Sequence, residues 1–392
     1  MHQMIETTAE LAALCERLAH EAFVTVDTEF IREKTYYPRL CLVQVAGEHE
    51  AVAIDPLAEG IDLSPLYDLM KNPDVLKVFH AAKQDLEIFY HLMNAMPHPI
   101  YDTQIAAMVC GYGEQVGYEA LVNRILNEQL DKASRYTDWA KRPLTTRQVD
   151  YAIGDVTYLR HIYEKLSAQI GIQNRKTWIE EEMASLENPD LFLIEPDEAW
   201  RRLKYKKRKP AYLNACRALA AWRERKAQRK NIPRTWLMKD EMLLQLAAMN
   251  PSSMEELVQV RGAQHLSENS RLAILEELAK ARLIKTADFP EDEKKGPELS
   301  PSQEGLLDVF RLLLKQVCDE AGVAAKLVAN KKEMIAFIAG EEDVPLAHGW
   351  RYELFGHIAR DFIHGKAYLS VNEKGNGLTL IEAPTAVSEV SP

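Results

Sequence analysis

The spacing of apolar residues changes near residue 191, and this change limits the architectures that the chain can adopt. Before it, short apolar runs typical of β-strands alternate with segments that have the 3.6-residue period of amphipathic helices. After it, the pattern is helical to about residue 366, and we expect no further strands. Alternating strands and helices are typical of layered α/β folds, so we predict one α/β domain followed by all-α domains.

Four segments are predicted along the 392 residues. Residues 1–190 contain three antiparallel-looking strands followed by strand–helix units, which indicates a mixed β-sheet flanked by helices. A basic lead-in and a small helical bundle occupy residues 191–293. A second helical bundle occupies 294–374, after a charged, proline-rich linker. The tail, residues 375–392, is predicted to be disordered.

Positive charge is concentrated in one window of an acidic chain. The net charge is −11, yet residues 200–235 contain 14 Lys and Arg and one acidic residue, which makes that window +13 and the remainder −24. Such asymmetry predicts a polyanionic partner that binds at one place.

Several classes of protein are disfavoured by what the sequence lacks. No apolar run approaches the ~18 residues that span a bilayer, so we expect no membrane partner. No GxxxxGK[ST] motif occurs, and we expect no nucleotide cofactor. The N-terminus lacks a signal-peptide pattern, and the five scattered cysteines form no CxxC pair, which favours a reducing, cytoplasmic location.

Acidic residues in three parts of residues 1–190 form the candidate site. In the strand-like run FVTVDTEF, Asp27 and Glu29 lie two apart and therefore share a face. Tyr151 and Asp155 lie four apart in a predicted helix, so both point to one side. Asp85 lies in the first turn of a helix that follows a strand, where α/β sheets bind ligands.

Four carboxylates brought together would repel one another unless cations held them. Oxygen ligands of this kind suit Mg²⁺ or Mn²⁺, and two such ions could assist a phosphoryl displacement by water. A free tyrosine has a pKa of ~10 and is a poor base at neutral pH, so Tyr151 would position the water and take its proton only as metal coordination releases it. Each acid also has an ordinary explanation: a solvated strand face, a helix-surface pair, or a favourable acid near a helix N-terminus. Asp102 is predicted to cap a helix.

Three motifs resemble those of DEDD 3′–5′ exonucleases: VDTEF, HAAKQDLEIF and YAIGDVTYL. The tyrosine of the last motif is typical of the DEDDy branch. The stretches TYYPRLCLVQVA, IYDTQIAA and DWAKRPLTTRQVDYAIGDVTYL resemble the bacterial ribonuclease D family. NIPRTWLMKDEMLLQLAAMNPSSMEELVQVRG is similar to an HRDC domain, and residues 303–366 resemble a second, diverged copy.

This resemblance implies an RNase H-like exonuclease fold followed by two HRDC bundles. It implies two divalent metal ions held by Asp27, Glu29, Asp85 and Asp155, with Tyr151 orienting the attacking water. It also implies release of 5′-mononucleotides from RNA 3′ ends, with trimming of tRNA precursors that carry 3′ extensions as the expected task. We expect a monomer.

RNA contacts are predicted at His80, which ends a strand, and in the basic window at Lys206, Lys207, Arg208 and Lys209. Tyr205, Tyr212 and Trp222 in that window could stack on bases, although burial is the better interpretation of Trp222. Two alternatives stay open at this stage: a Werner-type DNA 3′–5′ exonuclease, and a non-catalytic RNA-binding protein on an exonuclease fold. An intact carboxylate set disfavours the second alternative.

Overall fold

A computed structural model describes residues 3–130, 137–205, 209–290, 297–372, 374–375 and 377–383. The chain forms two compact units that alternate along the sequence. The first comprises Met1–Tyr101, Asp131–Thr157 and Leu186–Lys294, and the second comprises Asp102–Leu130, Tyr158–Ser185 and Lys295–Pro392. These units do not coincide with the four consecutive segments predicted from the sequence. Among the described residues, no helix combines the length and apolar character that crossing a membrane requires.

A six-stranded mixed sheet carries the candidate site. Its strands are β1 (Gln3–Ile5), β2 (Phe23–Ile31), β3 (Arg39–Ala46), β4 (Ala51–Ile54), β5 (Leu76–Phe79) and β6 (Ile100–Asp102). They lie in the order β1-β4-β3-β2-β5-β6. The β2, β3 and β4 strands are antiparallel neighbours, whereas β1 is parallel to β4 and β5 is parallel to β2. The predicted mixed sheet is confirmed.

Helices connect and flank these strands: α1 (Thr8–Leu18), α2 (Ser64–Lys71), α3 (Lys83–Met93), α4 (Thr103–Val109), α5 (Tyr118–Leu126), α6 (Thr146–Ile172) and α7 (Lys176–Leu186). The start of α4 agrees with the sequence prediction, since Asp102 is its N-cap and accepts a 2.8 Å hydrogen bond from the Gln104 backbone N–H. Asp102 thus satisfies one of the N–H groups that a helix start leaves unpaired.

Alternation along the central strands separates a core face from a second face. Val24 and Val26 of β2 and Val43 and Val45 of β3 belong to the main hydrophobic core, together with residues of α1, α2 and α3. The opposite face includes Leu42, which belongs to a smaller apolar cluster with Trp139 and residues of α6. Because side chains in a strand alternate, the acids of β2 are directed to this second face.

The region 191–290 is helical, as predicted. Its helices are α8 (Pro210–Lys230), α9 (Arg234–Leu237), α10 (Asp240–Met249), α11 (Met254–Leu257) and α12 (Glu268–Leu283). Short 3₁₀ segments lie at Pro189–Leu191, Pro196–Arg202, Ala263–His265 and Thr286–Asp288. A separate core, which includes Trp200, Leu219 and Ile274, holds this bundle together.

A third core lies in the C-terminal region. It includes Phe310, Trp350 and Phe355. The helices here are α13 (Pro301–Ala321), α14 (Ala325–Val328), α15 (Lys331–Ile338), α16 (Gly349–Arg351) and α17 (His357–Ile363), with a 3₁₀ segment at Pro345–Ala347 and a π-helical turn at Tyr352–Gly356.

The prediction that no strands follow residue 191 was wrong. A hairpin of β7 (Ala367–Val371) and β8 (Leu378–Glu382) follows α17, and its strands pair in antiparallel register. Residues 378–382 therefore belong to ordered structure, although the tail from residue 375 was predicted to be disordered. The strands pair along their whole length, and Leu369 and Leu380 pack against the C-terminal core. The tail sequence alone could not predict these contacts, because the partner residues lie outside the tail. Residues 384–392 of that tail lie outside the described part of the chain.

Candidate metal centre

Strand β2 presents Asp27 and Glu29 from a rigid position in the middle of the sheet. In the pairing of β2 with β3, Asp27 lies opposite Gln44 and Glu29 lies opposite Leu42. A β-bulge follows between Glu29 and Phe30. The regular pairing up to Glu29 keeps both acids on one face, as the spacing predicts, and both are half-buried.

Helix α6 brings the third acid to this face. One carboxylate oxygen from each of Asp27, Glu29 and Asp155 lies within 4.8 Å of the others. Tyr151, one turn earlier in α6, is hydrogen-bonded to Asp155 and packs near Trp139. The structure thus brings these four side chains together, while their roles in metal binding and in orienting water stay predictions.

Asp85 lies beside this group but is not a member of the set of three. It is 6% exposed, in the first turn of α3, and its carboxylate accepts a 2.5 Å hydrogen bond from the Thr28 hydroxyl. Its charge still acts on Glu29, whose pKa it helps to raise. Whether Asp85 holds a metal ion therefore stays a prediction.

The metal-free cluster disfavours charge on its own acids. Burial raises the pKa of Asp27 to about 6. Burial, and then the charges of Asp27, Asp155 and Asp85, raise the pKa of Glu29 to about 10. Both shifts have the sign expected where carboxylates are desolvated close to like charges. A bound cation would reverse that balance.

Tyr151 is held in its protonated form. Burial is the largest cause that raises its pKa, followed by the charges of Asp155, Glu29 and Asp27 and by the hydrogen bond to Asp155. A tyrosine with a raised pKa keeps its hydroxyl proton at neutral pH. It can therefore donate a hydrogen bond but cannot serve as a free base.

The cluster has the chemistry of a site for hard divalent cations. Its donors are carboxylate oxygens, the ligand type that Mg²⁺ and Mn²⁺ prefer. A nearby buried amide, Gln44, has no hydrogen-bond partner for either polar atom among the described residues, so polar capacity beside the acids is unused. The residues therefore fit the metal ions that the sequence implies.

The structure describes only two of the five residues predicted to contact RNA. His80 directly follows β5 and is half-buried, and Lys209 is the exposed N-cap of α8. Lys206, Lys207 and Arg208 lie outside the described residues. Trp222 is buried, at 9% exposure.

Two residues in or near these regions were not singled out from the sequence. Trp236 is 62% exposed beside basic residues, and Gln44 is fully buried next to the acids. Gln44 could have been recognised from the sequence, because it is an uncharged polar residue inside the apolar strand RLCLVQVA.

Comparisons with known proteins agree with this fold and site. Residues 2–171 match a family model described as 3′–5′ exonuclease, and residues 213–266 match a model of the HRDC domain. The first match includes all four acids and Tyr151. The class defined by the fold and the site is therefore a 3′–5′ exonuclease, and exonucleases of this fold depend on metal ions.

Full-length relatives define the family within this class. The chain is 46% identical over 375 residues to a ribonuclease D of Sphingobium indicum, covering 95% of this chain and 97% of that protein. It is 44% identical over 388 residues to a ribonuclease D of Jannaschia sp., covering 97% and 100%. The crystal structure of Escherichia coli RNase D superimposes with a TM-score of 0.80 at 29% identity, covering 93% of this chain and 99% of that one. The chain belongs to the ribonuclease D family.

Proposed function

We propose that this protein removes 5′-mononucleotides one at a time from RNA 3′ ends by two-metal-ion hydrolysis, and that tRNA precursors with 3′ extensions are among its substrates. Membership of the ribonuclease D family makes it a metal-dependent 3′–5′ exoribonuclease and disfavours the Werner-type DNA exonuclease. The observation that carries the chemistry is the convergence of Asp27, Glu29 and Asp155 within 4.8 Å.

The chain's own residues have distinct tasks in this reaction. Asp27, Glu29 and Asp155, with Asp85 beside them, hold the ions, which are Mg²⁺ or Mn²⁺ by the preference of such ligands for hard cations. When bound, the ions activate water and neutralise charge on the reacting phosphate. Tyr151, protonated and anchored to Asp155, orients the attacking water through its hydroxyl.

The helical bundle that follows the nuclease domain offers a surface for the RNA strand. From residue 225 to 239 there are six Lys and Arg and no acidic residue. Arg229, Lys230 and Lys239 are exposed, and Arg234 is half-buried. Within the described part of the chain, none of these four forms an ion pair. After the larger effect of burial, the charges of Lys230 and Arg229 lower the pKa of Lys226, which indicates closely spaced cations suited to phosphates.

Trp236 supplies an aromatic surface among these cations. It lies in α9, two residues after the half-buried Arg234 and next to the exposed Thr235, and it is 62% exposed. Exposed aromatic rings among basic residues stack on unpaired bases, at ~1–3 kcal/mol per base. We therefore assign base stacking to the exposed Trp236 rather than to Trp222, which is buried.

The proposal also covers the exonuclease branch, the domain organisation, the oligomeric state, the location and further RNA contacts. We assign the DEDDy branch from Tyr151, a second, diverged HRDC domain to residues 294–374 after the first at 191–293, and a monomer in the cytoplasm. His80 and the window that includes Lys206, Lys207, Arg208 and Lys209 are proposed to assist RNA binding.

Degradation of labelled RNA tests the activity. The full chain should release 5′-mononucleotides from a tRNA precursor with Mg²⁺ or Mn²⁺, release none in EDTA, and degrade single-stranded DNA of the same sequence much more slowly. Equal rates on DNA would contradict the substrate assignment. Failure to release mononucleotides with either metal would leave the non-catalytic RNA-binding protein as the better description.

Binding measurements test the RNA surface separately. In the cleavage-deficient Asp155→Asn background, Trp236→Ala should weaken binding of single-stranded RNA by at least about fivefold, the low end for loss of one stacked base. Lys230→Gln should reduce the salt slope by ~0.7, as expected for one lost phosphate contact. Leu283→Ala is the control, because Leu283 is 85% exposed and lies outside this basic stretch. Equal affinity of the Trp236 and Leu283 variants would exclude the surface.

A further inference from the structure

Gln44 is a buried amide in an otherwise apolar strand. It lies in the middle of β3, in the run RLCLVQVA, and is 0% exposed. Among the described residues, neither its Nε2 nor its Oε1 has a hydrogen-bond partner. Two unpaired polar atoms on one fully buried side chain are uncommon, because native proteins pair nearly all such groups.

The strand pairing puts Gln44 on the same face as the metal centre. Gln44 lies directly opposite Asp27, and directly opposite residues of antiparallel strands point to the same side with Cβ atoms ~4.5–5.5 Å apart. Its neighbours in sequence, Val43 and Val45, belong to the main core on the other face. The Gln44 side chain therefore lies on the same face of the sheet as Asp27 and not in the main core.

The remaining surroundings of Gln44 provide little polar contact. On its other side it lies opposite Ala53 of β4. Ala53 belongs to the apolar cluster on this face, which also contains Leu42, Ala152 and Ile153. Side chains of this kind have no donors or acceptors.

An apolar residue at this position would stabilise the metal-free fold. An unpaired buried donor or acceptor costs ~1–3 kcal/mol, and an apolar side chain of similar shape avoids that cost. Leu42, two residues earlier on the same face of β3, is apolar and fully buried, so this face accommodates such residues. A polar side chain that destabilises the metal-free protein is explained if it acts in the metal-bound one.

We propose that Gln44 is a positioning residue for the metal centre: in the metal-bound protein its amide Nε2–H donates to the Asp27 carboxylate and fixes the orientation of that carboxylate. The assignment rests on the proposed two-metal function. Metal-binding carboxylates are generally oriented by such hydrogen bonds, and loss of the partner weakens metal binding by ~10–100-fold. Gln44 acts through Asp27 and does not touch the substrate.

Substitution by methionine separates this role from ordinary packing. Gln44→Met keeps the length and approximate volume of the side chain and removes both polar atoms. In EDTA, the variant of the full chain should unfold at a higher temperature than the unmodified chain. By calorimetric titration with Mn²⁺, it should bind the metal at least about tenfold more weakly. A residue with a purely structural role would change the first quantity without the second.

Gln173→Met is a matched control, because the Oε1 of Gln173 is also buried without a partner among the described residues, yet Gln173 lies outside the acidic cluster. Its Mn²⁺ affinity should equal that of the unmodified chain. If Gln44→Met fails to fold, Gln44→Leu replaces it.

The outcomes distinguish this inference from the proposed function. Unchanged Mn²⁺ affinity in the folded Gln44 variant would overturn the positioning role while leaving the function intact. Failure of the unmodified chain to bind Mn²⁺ would instead overturn the two-metal function on which the inference rests. A tenfold loss confined to the Gln44 variant supports the assignment.

Discussion

Thr25 and Val156 join the central strand to the helix that completes the acidic cluster. The Thr25 hydroxyl donates a 2.8 Å hydrogen bond to the backbone carbonyl of Val156, and both groups are buried. Thr25 lies two residues before Asp27 on the same strand face, and Val156 directly follows Asp155. This hydrogen bond therefore ties β2 to α6 within two residues of the acid that each of them contributes.

Removing this bond should loosen the metal centre. Thr25→Val keeps the shape of the side chain but leaves the Val156 carbonyl without its partner on β2, at an expected cost of about 1 kcal/mol in the free energy of unfolding. Mn²⁺ affinity should fall several-fold, as measured by calorimetry. Thr157→Val is the control, since among the described residues the Thr157 hydroxyl bonds only to carbonyls of its own helix. Equal metal affinity of the two variants would argue against the role of Thr25.

Asp155→Asn should abolish mononucleotide release while stabilising the metal-free protein. Asparagine keeps an oxygen acceptor for Tyr151 but removes a charge that raises the pKa of Glu29. We expect a loss of activity greater than the ~10–100-fold typical of residues that only support metal ligands. Thermal unfolding in EDTA measures the second effect, and a lower melting temperature would contradict like-charge repulsion in the cluster.

Tyr151→Phe should reduce turnover and leave binding intact. The variant removes only the hydroxyl that bonds to Asp155, so Mn²⁺ and RNA affinities should change little. We expect kcat to fall by about 100-fold, the order of magnitude for losing the correct position of a reacting group, here the attacking water. Rapid-quench assays at saturating RNA separate kcat from KM, and near-full turnover would show that the assigned role is wrong.

The stability of the metal-free protein should fall as pH rises. The pKa of Glu29 is raised from 4.5 to about 10 by burial and neighbouring acids, so between these values the folded state holds a proton that the unfolded state has released. The favourable contribution is complete below pH 4.5 and is lost as pH rises toward 10, by at most about 1.4 kcal/mol per pH unit.

Urea unfolding in EDTA across that pH range measures the slope of the free energy of unfolding against pH. Glu29→Gln should flatten the slope, and Mn²⁺ should oppose it, because metal binding displaces the proton. A slope equal in the Glu29 variant and the unmodified chain would assign the pH dependence to other groups.

Local features of the site could be read from the sequence because they depend on regular backbone geometry. A two-residue spacing in a strand places Asp27 and Glu29 on one face, and a four-residue spacing in a helix aligns Tyr151 with Asp155. The N-cap role of Asp102 follows from an equally local rule. None of these inferences requires knowledge of which segments meet.

Contacts between segments that are distant in sequence could not be predicted from local spacing. Trp222 and Trp236 lie in the same basic region, yet packing buries the first and leaves the second exposed. The β7–β8 hairpin was missed because its strands are stabilised by pairing and by a core formed elsewhere in the chain. Burial and pairing depend on the partner segment, which local periodicity does not identify.

The sequence by itself determined the chemistry of this protein: oxygen ligands in pairs, a tyrosine one helical turn before an acid, and a basic window in an acidic chain. Only the tertiary structure decided that Asp155 closes a set of three with the β2 acids, that Asp85 lies beside that set on Thr28, and that the Gln44 amide is buried opposite Asp27. The physical reason is that residue type and spacing set what a side chain can do, whereas strand register and helix packing set which side chains meet.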